Sequence, residues 1–137
     1  IDTSWYAADK SEYVLKDKAD LFGFAVLSRD AAYNGFEGKV VKLGADILVN
    51  KGASSAWASA VPNYIWVTIG TTDNPFKGTF DGKNHTLSKI YQSRSADSSH
   101  GGLFRKVNGT IQNLTISDSI FYGGFQNMAA VFLQNTA

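Results

Sequence analysis

Asp81 and His85 stand four residues apart in the stretch FKGTFDGKNHTLSKI, Phe76 to Ile90. A carboxylate near an imidazole is the minimal equipment for general acid–base work, so this pair is the first candidate for chemistry. The residues around it point elsewhere. Asp81-Gly82 is a turn pair, Gly78 and Asn84 add further turn chemistry, and a strongly β-prone run follows. Gly78, Asp81, Gly82, Asn84 and the later Gly109 are therefore read as structural turn residues, and no residue is assigned a catalytic role.

The other chemistry-bearing residues are scattered. His100 sits in a polar loop (SRSADSSH, Ser93 to His100), and neither histidine has a second histidine or cysteine at ligand spacing. The chain has no cysteine, which removes disulfides, thiolate chemistry and zinc–sulfur sites. Asp73, Asp81, Asp97 and Asp118 offer loop oxygens that suit calcium, but no EF-hand periodicity groups them, and calcium binding is left open. No phosphate-cradling glycine loop, nucleophile elbow or Ser–His–Asp order is present. A segment without catalysis, metal or cofactor is expected.

Aromatics carry more information. Trp5, Tyr6, Trp57, Tyr64, Trp66, Tyr91 and Tyr122 are many for 137 residues, and such rings stack on sugars. Trp5 and Trp66 read as cap and core. Trp57 and Tyr64 fall in a loop region, where a ring is free to face solvent, and they are the candidate ligand-binding pair.

Composition bounds the partners. Hydrophobic residues make up 44% and charged residues 18%, so the chain is globular, and 137 residues suffice for one core. Net charge is +1 with both signs interspersed, which argues against nucleic acid or an anionic membrane. No apolar run reaches transmembrane length, and IDTSWYAADK lacks the charged and apolar regions of a signal peptide. Sequons at Asn84, Asn108 and Asn113 read as turn chemistry rather than glycosylation.

The elements that must position these residues follow from patterning. Glu12 to Leu15 suggests a short strand. Leu21, Phe22, Ala25 and Val26 recur at helical spacing, with Asp17 as N-cap and Asn34-Gly35 as the stop, which predicts a helix over Asp17 to Tyr33. Short strands are expected at Lys39–Leu43, Ile47–Val49, Trp66–Ile69, within the Phe76–Ile90 stretch, and at Gly102–Val107, Thr110–Ile116, Ser119–Phe121 and Ala129–Leu133. Two echoes link them. Gly102-Leu103-Phe104 matches Ala130-Val131-Phe132 at a spacing of 28, and Gly78-Thr79-Phe80 matches Gly109-Thr110-Ile111 at a spacing of 31. Such spacing falls in the window of stacked solenoid coils. Phe80, Leu87 and Ile90 would then fill the bore, and the helix would form an N-terminal lid. The pattern breaks off at Ala137 where the next strand would begin. An N-terminal fragment of a longer protein is expected, with an uncapped last coil that self-associates.

The ordered string DTSWY, the helix, FEGKVVKLGADI, WVTIG, FKGTFDGKNHTLSKI and GGLFRKVNGTIQNLTI resembles bacterial surface or secreted parallel β-helix proteins. The resemblance is to the pectin-lyase-like type that occurs beside GLUG repeats, in some large secreted peptidases and adhesins, and it covers most of residues 2–137. It implies an all-β fold, a right-handed parallel β-helix with an N-terminal α-helical cap, and an extracellular or cell-surface bacterial setting. It implies no activity. Three departures soften it: Asn84 and Arg105 replace glycines of the pattern, and Met128 to Gln134 is a degraded copy.

A single domain over residues 1–137 is thus expected, with residues 1–35 as strand plus capping helix and 36–137 as β-helix coils. The functional expectation is a non-catalytic adhesive or scaffolding module that binds host glycan or protein. Two alternatives stay open: the non-catalytic N-terminal part of a carbohydrate-active enzyme or large peptidase, and a purely structural cap or spacer.

Overall fold

A computed structural model of the protein describes residues 1–93 and 101–121, together with the backbone of 132–135. The strands are β1 (Glu12–Leu15), β2 (Val40–Leu43), β3 (Ile47–Leu48), β4 (Thr79–Ser88), β5 (Phe104–Val107), β6 (Thr110–Ser117) and β7 (Phe132–Asn135). One α-helix, α1 (Lys18–Ser28), and two 3-10 segments, Ala31–Phe36 and Ser54–Ala56, complete the described elements.

Helix α1 starts where Asp17 accepts a hydrogen bond from the Asp20 amide at 3.0 Å. It stops well before Asn34-Gly35, because Asp30 opens a new cap: its carboxylate takes the Ala32 amide at 2.9 Å. The backbone then tightens into the Ala31–Phe36 segment, where Asn34 and Gly35 take φ of 47° and 60°.

Five strands form one sheet in the order β1-β2-β4-β3, with β6 on β4, and every described pair is parallel. β5 and β7 make a second, two-stranded parallel sheet. The two sequence echoes are the registers of these ladders: Phe80 pairs with Ile111 and Phe104 with Phe132.

This arrangement corrects the expected fold class. The described residues form a small α/β domain built on one parallel sheet, not an all-β right-handed β-helix solenoid. The connection from β1 to β2 is helical. It buries Leu21, Phe24 and Ala25 in the same core as Val41, Phe80 and Leu87, so α1 packs as a layer of that core. Trp66–Ile69 and Ser119–Phe121 form no strands and contribute only one isolated bridge each, Ile69 to Phe104 and Ile120 to Tyr91. The physical reason for the misreading is general. Parallel strands require a long crossover connection, so a repeat near 30 residues marks parallel pairing whatever the connection folds into.

Aromatic rings dominate the interior. Phe24 stacks on Phe80 at 5.7 Å between centroids and meets Phe36 edge-on at 5.1 Å, and Phe104 closes on Phe76 and Phe80. Phe80, Leu87 and Ile90 are all fully buried. His100, Asp97, Tyr122 and the expected final coil around Met128 and Ala137, with the self-association assigned to it, lie outside the described residues.

Candidate functional site

Tyr64 is the better exposed of the two rings singled out in the sequence, at 44%, and the structure fixes it with unusual care. Asn50, 2% exposed, sits just past β3 and spends its whole side chain on the backbone around Tyr64. Its Oδ1 accepts from the Tyr64 amide at 2.9 Å, and its Nδ2 donates to the Tyr64 carbonyl at 2.9 Å and to the Lys89 carbonyl at 3.1 Å. A buried amide that satisfies both polar groups of one exposed residue clamps that residue to the end of the sheet.

Lys18, the first residue of α1, lays its ammonium over the Tyr64 ring at 3.8 Å from the centroid. Phe22, one turn further along α1, backs the ring at 6.3 Å. Two grooves flank the tyrosine. One of 280 Å³ is lined by Lys18, Asn50, Lys51, Pro62, Asn63 and Tyr64. The other, of 380 Å³, shares Lys18, Asn63 and Tyr64 and adds Ala19, Phe22 and Ile65. The result is a fixed amphipathic ring on a ridge between two concavities, edged by amide and ammonium donors.

Trp57 does not share that ridge. It is 4% exposed and meets Tyr91 edge-on at 5.6 Å, so its ring is packing and Tyr64 stands without it. Lys18, Asn50 and Asn63 are the members of the site that sequence reasoning missed. Nothing local marks them, since their convergence depends on how α1 and β3 meet the Pro62–Tyr64 stretch.

Asp81 and His85, weighed together in the sequence, are separated by their partners. Asp81 accepts from the Lys83 amide at 2.9 Å, Asn113 Nδ2 at 3.1 Å and Gln112 Nε2 at 3.3 Å, and these donors, the amide first, hold its carboxyl below the usual carboxylate range. His85 Nδ1 lies instead 3.1 Å from Asp46 Oδ1. The Thr86 amide at 2.9 Å is the larger influence on Asp46 and His85 the second; together they lower its carboxyl as well. Register explains this partner: Ile47 pairs with Leu87, which puts Asp46 beside Thr86.

The turn residues resolve into two kinds. Gly78 and Gly109 immediately precede β4 and β6, and a Cβ on Gly109 would lie 2.1 Å from the Gly78 carbonyl oxygen. Within β4, a Cβ on Gly82 would lie 2.4 Å from the Asn113 carbonyl oxygen. These glycines let neighbouring backbones approach. Asn84, with φ of 64°, makes the actual corner beside Lys83 at 53° and opposite Asn113 at 55°. The β4–β6 register shifts there, between Asp81 and His85. Among the described residues no three His, Asp or Glu side chains gather as metal ligands. No described helix is long and apolar enough to cross a membrane.

Comparison of the chain with protein-family models, curated proteins and solved structures finds no match.

Proposed function

We propose that this chain is a non-catalytic binding module that presents Tyr64 to glycan on a bacterial surface or secreted protein. The observation that carries the reading is the Asn50 clamp. A fully spent buried amide anchors the backbone of one half-exposed tyrosine between two grooves, Lys18 and Phe22 restrain its ring, and a group restrained before binding loses little entropy when a sugar packs against it. Asn63 and Lys51 beside the ring offer donors of the type that sugar hydroxyls accept from. The surface or secreted setting rests on the sequence resemblance.

The test is equilibrium binding to an immobilised glycan array by the wild-type chain and by Tyr64→Ala. Saturable binding to one sugar class that disappears in Tyr64→Ala, with an unchanged circular dichroism spectrum, supports the reading. Silence across the array favours a purely structural cap or spacer.

A further inference from the structure

Among the described residues β1 is an open edge of the five-stranded sheet. The Val40 amide donates to Ser11 at 2.9 Å and the Gly44 amide to Leu15 at 2.8 Å. In a parallel ladder these bonds fix the phase, so Ser11, Tyr13 and Leu15 turn their backbone groups toward β2. Glu12, Val14 and Lys16 therefore turn theirs away. Among the described residues, the Lys16 amide alone of those outward donors has a partner, Asp20 Oδ2 at 2.9 Å. A trench of 560 Å³ runs beside the strand, lined by Glu12, Val14 and Lys16 with Asp2, Trp5 and Asp20. Val14 is 42% exposed.

We propose that two copies of this chain pair antiparallel along β1, about a two-fold axis through Val14. The sequence Glu12-Tyr13-Val14-Leu15-Lys16 is self-complementary in that register. Val14 faces Val14 of the second copy, and Glu12 faces its Lys16 twice over, once on each side of the axis. Val14 is the right centre because both of its backbone groups point outward, so the central pair exchanges two hydrogen bonds. The outward amide of Glu12 reaches the Lys16 carbonyl of the other copy, which adds one bond on each side. The Lys16 amide leaves Asp20 for the Glu12 carbonyl that faces it, a second bond on each side. Tyr13 and Leu15, 3% and 0% exposed, stay in the core and take no part. Glu12 already holds Lys42 at 3.3 Å through one carboxylate oxygen, and its second oxygen is left for Lys16 of the other copy. A pairing this short buries little surface, so the dimer is weak and forms at high concentration. An isologous contact of this kind closes at two copies and does not propagate.

Sedimentation equilibrium from about 10 μM to 1 mM tests this, using the whole chain and three variants. The wild type shifts from monomer to dimer across the range. Lys16→Glu places like charges opposite one another at both symmetry-related positions and weakens the dimer at least about tenfold. Glu12→Lys combined with Lys16→Glu restores the complementarity and returns the association to within about threefold of wild type. Val14→Pro removes an outward amide that β2 does not use, and abolishes the dimer. If Val14→Pro fails to fold, the two charge variants still decide, since both sites are exposed. A monomer at every concentration overturns the proposal. So does a dimer that the single charge reversal leaves intact, or one that the double reversal fails to restore.

Discussion

Replacing Gly109 by alanine places a methyl carbon 2.1 Å from the Gly78 carbonyl oxygen and 2.9 Å from the Lys77 carbonyl carbon. Both obstacles are backbone, so no side chain can swing aside. Relief requires β6 to lift from β4 by about an ångström at its start, because real Cβ contacts do not fall below 3.0 Å. That movement stretches the Thr110 amide bond to Gly78, now 3.0 Å, and the Asn108 amide bond to Phe76, now 2.7 Å. Two weakened ladder bonds at about 1 kcal/mol each, plus about 2 kcal/mol of overpacking, give a destabilisation of about 4 kcal/mol. In urea, with a slope of about 2 kcal/mol per molar, the unfolding midpoint drops by about 2 M. Gly52→Ala is the control. Its φ is +84° and none of the described residues lies within 4 Å of the added carbon, so it costs only the left-handed penalty of about 1 kcal/mol. Equal midpoints for Gly109→Ala and Gly52→Ala would refute the claim that the Gly78–Gly109 stack exists to bring two backbones together.

Three further outcomes follow from the same geometry. Asp81 and Asp46 have lowered folded-state pKa values, so each contributes stability above the ordinary carboxylate pKa that is lost as pH falls through the folded value. The urea midpoint should therefore fall as pH drops below about 4, and Asp81→Asn should flatten that slope. Phe80→Ala, in a fully buried position between Phe24 and Phe104, should cost about 3–5 kcal/mol in the same assay, whereas Val67→Ala at a 42% exposed position should cost a fraction of that. Asn50→Ala deletes three hydrogen bonds around Tyr64 and should cost about 2 kcal/mol, while faster hydrogen exchange at the Tyr64 amide reports the lost clamp directly.

The parallel registers were legible because pairing leaves echoes: Phe80 with Ile111 and Phe104 with Phe132 carry matching neighbours at the right spacing. The start of α1 was legible too, since Asp17 caps it by a purely local bond. Its end was not, because Asp30 competes locally with Asn34-Gly35 and wins. The fold class failed on the step from pairing to architecture. Repeat spacing reports the length of a crossover and is silent about whether a helix fills it. Trp66 and Val67 alternate as a strand should, yet the Trp66 amide goes to Tyr91 and the Ile69 amide to Leu103, as single bridges rather than a ladder. Of the site, only Tyr64 could be named beforehand. Trp57 was misleading because its Ala- and Ser-rich surroundings look like open loop, and Tyr91, which packs against its ring, stands far along the chain.

The central claim is that Tyr64, clamped by Asn50, receives a glycan. Amide chemical shifts, followed by nuclear magnetic resonance while the sugar selected on the array is titrated in, test it most directly. Saturable shifts centred on Asn50, Asn63, Tyr64 and Lys18, absent in Tyr64→Ala, are the predicted result. Saturable shifts centred elsewhere, or shifts that persist in Tyr64→Ala, would contradict it.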